Sequence, residues 1–269
     1  MADSARVRDS LRLHAREGEA FASTLAALDD AQWETPSTCP PWTVRLLAAH
    51  VIRQVDSYIN SVEQGLRGEE GVPEPRDQRA RIMAEIAARP NDGIVAYMRE
   101  TNEKFTRWFG DLSPEQLDTT GPHSHGPRSA AWFIEMRLAE MAFHRVDLEQ
   151  SLGRDAGIDP ESARFLLPML LEMNVPAIVN RDKTGGDGTY ALAVKGEPGA
   201  VWQLAFRPGG LNVTPGVSQA DVTFEADAAA LAQMMYGRLT WQQLEQEGRL
   251  TVSGSREDAA RFHSLFKGP

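Results

Sequence analysis

The amino-acid sequence predicts an α+β protein, in which a four-helix bundle is followed by a smaller α+β domain. The chain has 269 residues, which is longer than most domains that fold around a single hydrophobic core. Apolar residues recur at helical spacing in the first part of the chain, whereas short runs with a period of two dominate the second part. The pattern changes at Gly153. We therefore predict two domains, over residues 1–153 and 154–269.

Four long helical patterns define the first domain. The segment 33–42 between the first two patterns is interrupted by prolines and cannot be helical. Thr43 directly follows this segment and is a suitable N-cap for the second helix. Long connections separate the helices, and a shorter helix at 78–88 lies in one of them, which is typical of a bundle with apolar interior faces. The principal helices are predicted at residues 4–28, 43–65, 91–109 and 129–152.

The second domain begins with a helical segment that Pro168 and Pro176 should kink or end. A glycine-rich turn at 181–188 follows, and then short β-prone runs alternate with glycine and proline. Blocks of strands followed by helices indicate an α+β domain. Strands are predicted at 190–194, 201–206, 211–213, 221–225 and 250–252. Helices are predicted around Leu231–Met235 and at 240–247 and 257–266.

The fourth helix carries an unusual row of charges. At about 100° per residue, spacings of three, four and three place four ionisable side chains on one face. The row consists of Arg137, Glu140, His144 and Asp147. Apolar residues such as Met136 and Met141 flank it on both sides, so the row lies in the middle of the buried arc. Buried ionisable groups must pair, line a cavity or bind a metal.

Composition limits the possible partners. The formal net charge of −10 argues against nucleic acid and anionic membranes as general partners. No apolar run approaches the length of a membrane span, and the N-terminus has no secretory segment, so a cytoplasmic location is expected. The one cysteine, Cys39, fits a reducing compartment and is interpreted as a packed structural residue. Arginine far outnumbers lysine, which is typical of a GC-rich bacterial genome.

Glu140 and His144 are candidates for a metal site. Four residues apart on one helical face, they can reach the same ion, and His50 on the second helix is the candidate third ligand. Two histidines and one carboxylate leave an open position on Zn²⁺, as a catalytic site requires. The alternative from spacing alone is a buried ion-pair network that links helices.

Several other side chains are candidates for supporting or substrate-binding roles. Asp147 could orient an imidazole, and Arg137 could pair with Glu140 or hold an anionic substrate. Gln54 lies one turn after His50 and is a candidate to contact the thiol or substrate. Arg81 could bind a carboxylate, although a solvated helix face is the alternative. His125, in a Gly/Pro/His loop, could supply a proton or a further ligand, or simply be exposed.

Two separated segments give the sequence a family resemblance. Before His50 stands the run Cys39-Pro40-Pro41-Trp42-Thr43-Val44, and the later segment combines the charge row with Arg145, Val146 and Leu148. Together they resemble the mycothiol-dependent maleylpyruvate isomerase family within the DinB-like metal-binding bundles. Pro41 departs from the glycine that often precedes the tryptophan in that family. Residues 221–266, notably 234–238 and 250–254, resemble a sterol-carrier-like domain.

This resemblance implies a chemistry. It assigns the metal ligands to His50, Glu140 and His144, with zinc the expected divalent ion and mycothiol, the thiol of actinobacteria, as the cofactor. A metal-bound thiol ionises near neutral pH, which supplies a thiolate nucleophile. The expected activity is that of a thiol S-transferase or a cis–trans isomerase on a small electrophilic substrate. The ligand row does not distinguish the two reactions.

Two other functions remain open at this point. A metal-dependent hydrolase could use the same ligands, because Zn²⁺ also activates water. A non-catalytic protein could instead bind a lipid or another small molecule between the strands and Met234-Met235 of the second domain. The partners expected from the sequence are small molecules, without nucleic acid or membrane, and the protein is expected to be a monomer or a homodimer.

Overall fold

The computed structural model describes residues 3–69, 71–72, 74–124, 126–180, 188–208 and 210–266. The chain forms two compact units, Met1–Ala156 and Gly157–Pro269. Within the described ranges, no helix is both long enough and apolar enough to cross a membrane.

The first unit is helical, and its principal helices agree with the predicted ones to within about two residues at each end. Thr43 caps the second principal helix as predicted, since its side chain accepts a hydrogen bond from Leu46 N at 3.4 Å. Ser129 caps the last one by accepting from Trp132 N at 3.2 Å. The helices are α1 (Ser4–Ala26), α2 (Asp30–Trp33), α3 (Val44–Leu66), α4 (Arg76–Ala87), α5 (Asn91–Gly110), α6 (Pro114–Leu117) and α7 (Ala130–Ser151). A two-stranded ribbon of β1 (Thr120–Gly121) and β2 (Arg128–Ser129) precedes α7.

The four long helices form the bundle, because α1 and α3 each pack against both α5 and α7. Their interior faces carry fully buried apolar side chains such as Phe21, Leu47 and Phe133. Gly18 of α1 permits a close approach, since a Cβ at this position would meet Asn102 Nδ2 of α5 at 2.7 Å. The surface of α7 that faces α3 carries the polar row predicted from the sequence.

The second unit begins with α8 (Pro160–Met169), a π-helical turn (Leu170–Asn174) and a 3₁₀ turn (Val175–Ala177). Pro168 and Pro176 lie in these segments, and proline cannot donate the backbone hydrogen bond of a regular helix, so the break is the one predicted. Residues 181–187 of the predicted glycine-rich turn are not among the described residues.

A five-stranded sheet follows, with the order β5-β4-β3-β6-β7. Strands β3 and β6 pair in parallel and the other neighbours are antiparallel, in a register that places Leu192 opposite Phe224. Its elements are β3 (Gly188–Val194), β4 (Val201–Arg207), β5 (Gly210–Pro215), β6 (Val222–Ala226), α9 (Ala228–Met235), α10 (Trp241–Gln246), β7 (Leu250–Gly254), α11 (Arg256–Arg261) and a final 3₁₀ turn (Phe262–Leu265).

Aromatic rings fill the core of this second unit. Phe262 lies 4.8 Å from Phe224 and 5.0 Å from Tyr190, measured between ring centroids, and Trp241 lies 6.1 Å from Phe224. Phe206, Phe224 and Phe262 are fully buried. The period-two pattern of the strands therefore supplies a packed apolar interior.

Candidate metal centre

The candidate site lies between α3 and α7 of the first unit. His50 comes from the N-terminal third of α3, and Glu140 and His144 come from successive turns of α7. Apolar neighbours on both helices, among them Leu47 and Met141, are fully buried and hold the two helices together. His50, Glu140 and His144 keep a small exposed fraction, between 11 and 19% of each side chain, so a small ligand can reach them.

The ligand atoms of these three side chains converge. Glu140 Oε2 lies 3.1 Å from His144 Nε2 and 3.7 Å from His50 Nε2. All three atoms are within 4.8 Å of one another, and the imidazole rings are nearly perpendicular, at 85°. Tetrahedral ligands at the usual zinc distance of about 2.0–2.1 Å stand roughly 3.4 Å apart. The donor set and its spacing therefore fit a divalent ion such as Zn²⁺.

Asp147 fixes the orientation of His144. Its Oδ2 atom lies 2.9 Å from His144 Nδ1 and also accepts a hydrogen bond from Cys39 Sγ at 3.2 Å. An ionised carboxylate only accepts hydrogen bonds, so Nδ1 of His144 must carry a proton. In the neutral ring the electron pair is then on Nε2, the atom that faces Glu140 and His50.

Gln54 fixes His50 in a comparable way. Arg137 Nη1 donates to Gln54 Oε1 at 3.1 Å, and the amide nitrogen of Gln54 lies 3.2 Å from His50 Nε2. A guanidinium has only donors, so the amide oxygen must face Arg137 and the NH₂ group must face His50. His50 Nε2 therefore accepts this hydrogen bond, and the same nitrogen lies 3.7 Å from Glu140 Oε2.

The charges of the cluster depend strongly on one another. Burial alone would raise the pKa of Glu140, but the neighbouring imidazoles, first His144 and then His50, hold it well below its usual value. Burial alone would lower the pKa of His144, but hydrogen bonds with Asp147, Cys39 and Glu140 raise it well above its usual value. Burial lowers the pKa of His50. A metal ion would take the place of the proton on His144 Nε2.

The structure places Arg137 differently from the sequence-based expectation. Its side chain is fully buried and donates to Val51 O at 2.7 Å and to Asn102 Oδ1 at 3.1 Å, besides Gln54. No ion pair between Arg137 and Glu140 forms, and the guanidinium is closed off from solvent. We therefore correct the role of Arg137 from holding an anionic substrate to positioning Gln54, because its guanidinium is buried away from solvent and donates to these three acceptors.

Arg81 is not part of the cluster. Arg81 lies on the exposed face of α4, with 71% of its side chain accessible, and pairs with Glu85 at 3.8 Å. This exposure fits the solvated-face alternative for Arg81, and its substrate-binding role stays a prediction. His125 lies outside the described residues.

Other side chains at the site had no assigned role in the sequence. The Trp42 ring packs on His50 with a centroid distance of 4.6 Å, and Thr38 Oγ1 donates to Asp147 O at 3.3 Å. Cys39 was expected to be a structural residue, and its thiol donates to the carboxylate that orients His144. The segment closes on itself through Ser37 N and Trp42 O at 2.8 Å, which explains why these neighbours reach one site.

Comparisons with known proteins agree with this architecture. The sequence model of the mycothiol maleylpyruvate isomerase N-terminal domain matches residues 14–149, and that of the SCP-2 sterol transfer family matches residues 181–267. An uncharacterized protein in two strains of Mycobacterium tuberculosis is 28% identical over 155 residues, which cover 58% of this chain and 74% of that protein. The crystal structure of the mycothiol-dependent maleylpyruvate isomerase superposes with a TM-score of 0.64 at 18% identity, covering 92% of each chain. This last similarity shows a shared fold.

Proposed function

We propose that the protein is a metal-dependent enzyme that uses mycothiol. The chain belongs to the mycothiol maleylpyruvate isomerase family through its N-terminal domain, and this membership supports the proposal. Its reaction in this proposal is either the transfer of the thiol to a small electrophile or the cis–trans isomerisation of a small unsaturated acid. The chemistry takes place at the cluster between α3 and α7.

One observation carries the proposal, namely the convergence of His50 Nε2, Glu140 Oε2 and His144 Nε2 within 4.8 Å. Structural zinc sites are closed by four protein ligands, whereas catalytic sites have three and leave one position for a small molecule. The three converging donors match the catalytic type. The supporting hydrogen bond from His144 to Asp147 is also typical of histidines that bind a metal.

A bound divalent ion would supply a Lewis acid that lowers the pKa of a thiol at neutral pH. The protein's own groups complete the site. Asp147 holds the His144 ring, and Arg137 holds Gln54 so that its NH₂ group faces the cluster. That NH₂ group is placed to donate a hydrogen bond to a sulfur or oxygen atom bound beside His50.

The two reactions share the thiolate and differ in its fate. In isomerisation the thiolate adds to a conjugated double bond, the resulting single bond rotates, and the thiolate leaves unchanged. In transfer the thiolate displaces a leaving group or adds to the electrophile and stays attached. Product analysis by mass spectrometry separates them, because only transfer increases the mass of the product by that of the thiol.

Metal analysis tests the proposal. Protein purified without chelators should contain about one divalent ion per chain, expected to be Zn²⁺, and the His50→Ala, His144→Ala double variant should contain none. A matched control is His263→Ala, which removes a histidine from the second unit. Absence of stoichiometric metal from the wild-type protein would contradict the proposal. Turnover that needs the metal but not mycothiol would instead support a hydrolase.

The rival function, a non-catalytic lipid carrier, has less support. Its ligand would lie in the second unit, where Phe206, Phe224 and Phe262 are fully buried and in mutual contact with other rings. This packing favours a domain whose interior is already filled. Extraction of the purified protein with organic solvent tests the rival, because a lipid carrier should release about one lipid per chain.

A further inference from the structure

The imidazole of His144 has metal-ligating side chains on both sides of its ring. Its Nε2 atom faces Glu140 and His50 in the cluster described above. On the other side, Asp147 Oδ2 lies 2.9 Å from His144 Nδ1 and 3.2 Å from Cys39 Sγ. The ligand atoms of Cys39, His144 and Asp147 all lie within 4.8 Å of one another. We call these three side chains the Cys39 set, and as ligands they have no part in the proposed function.

The donors of the Cys39 set suit a thiophilic divalent ion. A thiolate, an imidazole nitrogen and a carboxylate oxygen are all common metal ligands, and the thiolate favours soft ions. Tetrahedral donors at about 2.3 Å for sulfur and about 2.0–2.1 Å for nitrogen or oxygen stand roughly 3.4–3.6 Å apart, so the observed spacings need only a small expansion. The thiolate and the carboxylate together balance the charge of a divalent ion. The first cluster, in contrast, offers nitrogen and oxygen without sulfur.

The loop before α3 holds Cys39 next to α7. The backbone N–H of Cys39 donates to Ser37 Oγ at 3.2 Å. The preceding residue, Thr38, ties the loop to α7, because its backbone N–H donates to Ser151 Oγ at 3.0 Å. The other two ligands lie one turn apart on α7, so the helix itself fixes their spacing. Cys39 is partly exposed, which gives an ion access to the set.

The protons of the His144 ring make the two ion positions alternatives. A neutral imidazole has one nitrogen with a proton and one with an electron pair. With an ion in the first cluster, Nδ1 keeps its proton and donates to Asp147. An ion on the Cys39 set replaces the thiol proton and the Nδ1 proton, which pass to water, and Nε2 keeps its proton to donate to Glu140 Oε2, 3.1 Å away. One neutral ring therefore serves one ion position at a time.

We infer that Cys39, Asp147 and His144 Nδ1 form a second ion position, which takes thiophilic ions such as Cd²⁺ and excludes the ion of the first cluster. Occupation of this position withdraws His144 from the first cluster, because the ring then presents an N–H to Glu140 instead of an electron pair. Thiophilic ions thus inactivate the first cluster through a thiol that is not one of its ligands. The inference goes beyond the proposed function, since it holds for any reaction at the first cluster.

Ultraviolet difference spectroscopy tests the inference, because a thiolate bound to Cd²⁺ gives a charge-transfer absorption that nitrogen and oxygen ligands do not give. Titration of the purified full chain with Cd²⁺ should produce this absorption and saturate at one ion per chain. Any such absorption comes from Cys39, the one cysteine of the sequence, so the Cys39→Ser variant should lack it. The His50→Ala variant, which removes a ligand of the first cluster only, should keep it.

The Asp147→Asn variant separates a built site from an adventitious complex of the thiol alone. It should weaken the binding of Cd²⁺ at least about tenfold, because an anionic ligand is lost. The matched control is Asp155→Asn, which changes an exposed acid of the same unit and should leave the affinity unchanged. Circular dichroism verifies the fold of each variant. Equal affinity in the Asp147→Asn variant and the wild-type protein, or no thiolate absorption in the wild-type protein, would overturn the inference.

Competition with zinc tests the exclusion of one ion by the other. Protein loaded with Zn²⁺ should release it to a chromophoric indicator in step with the rise of the thiolate absorption. Release of Zn²⁺ without this absorption would show replacement within the first cluster and would overturn the inference. The absorption without release of Zn²⁺ would place both ions on one ring and overturn the exclusion. A wild-type chain that binds no Zn²⁺ but shows the Cys39-dependent absorption would contradict the proposed function and support the second ion position.

Discussion

Arg137 and Glu140 lie one turn apart on the same face of α7, and their surroundings are opposite in kind. Arg137 is fully buried, and its guanidinium meets acceptors from three different residues: Val51, Gln54 and Asn102. Glu140 is partly exposed, and the nearest groups are two imidazole nitrogens that converge on it. The guanidinium of Arg137 is held by protein acceptors alone, whereas the second group brings together three side chains whose donor atoms suit a cation.

The difference shows how a buried polar cluster is assigned a role. Both clusters contain ionisable groups where a hydrophobic core would be expected, so burial and polarity do not distinguish a structural cluster from a metal site. The balance of hydrogen-bond donors and acceptors distinguishes the two. A cluster whose donors match its acceptors stabilises the fold, while one with several converging electron pairs is suited to a cation.

The Arg137→Met variant should have the largest effect on stability, and it should disrupt only the hydrogen bonds around Arg137. Loss of the guanidinium leaves the amide oxygens of Gln54 and Asn102 buried without a donor, which should lower the free energy of unfolding by about 3–5 kcal/mol. Urea denaturation of metal-free protein measures this change. Arg99→Met, which removes an exposed arginine of α5 that pairs with the exposed Glu19, is the control and should cost less. Equal losses in the two variants would contradict the comparison.

The Glu140→Gln variant should have the opposite profile. The amide keeps the shape of the side chain and can still accept a hydrogen bond but lacks the charge that His144 and His50 stabilise, so the metal-free protein should lose less stability than the Arg137→Met variant does. The affinity for Zn²⁺ should fall at least a hundredfold, or about 2.8 kcal/mol, because an anionic ligand is lost. Competition with a chromophoric chelator measures the affinity. A large loss of stability with unchanged affinity would make this cluster structural as well.

The Asp147→Asn variant tests whether the carboxylate that orients His144 contributes to metal binding. An amide can present its NH₂ group to His144 Nδ1 and so disfavour the ring form that points an electron pair at the metal. Metal affinity should fall by about 10- to 100-fold, the usual cost of losing such a partner. Cys39→Ser is the matched control, because a hydroxyl can still donate to Asp147, and it should change the affinity by less than about threefold.

The sequence predicts a good part of this architecture. The helical period identifies the long helices of the bundle, and Thr43 correctly marks the start of α3. The wheel of α7 also shows that the row from Arg137 to Asp147 faces inward. These features are local, so they depend only on spacing along the chain.

The partners of the row could not be predicted from spacing. A helical wheel gives the direction of Arg137 but not the elements that it meets, and Asn102 reaches it only because α1 has Gly18 at the crossing. The packing of Trp42 on His50 depends on how the loop before α3 closes. Arg81 shows the converse, since a charged residue on a weakly patterned helix has no feature that distinguishes a ligand contact from a solvated face.

The smallest expected effect is the pH dependence of stability that His14 causes. This residue of α1 is fully buried, and burial followed by the positive charge of Arg137 lowers its pKa well below the ordinary value. In the unfolded chain His14 should titrate near pH 6.5, so the unfolded state binds more protons between that pH and the pKa of the folded state. The stability contribution is therefore fully present above about pH 6.5 and is lost as the pH falls towards the folded-state pKa.

The change of the free energy of unfolding with pH distinguishes His14 from other titrating groups. Between pH 7.5 and 5.5 the metal-free wild-type protein should lose about 1.4 kcal/mol more stability than the His14→Gln variant, which keeps a polar side chain but cannot titrate. Urea denaturation at the two pH values gives the difference. Parallel losses in both proteins would mean that His14 is protonated in the fold, and that the surroundings of Arg137 admit a second positive charge.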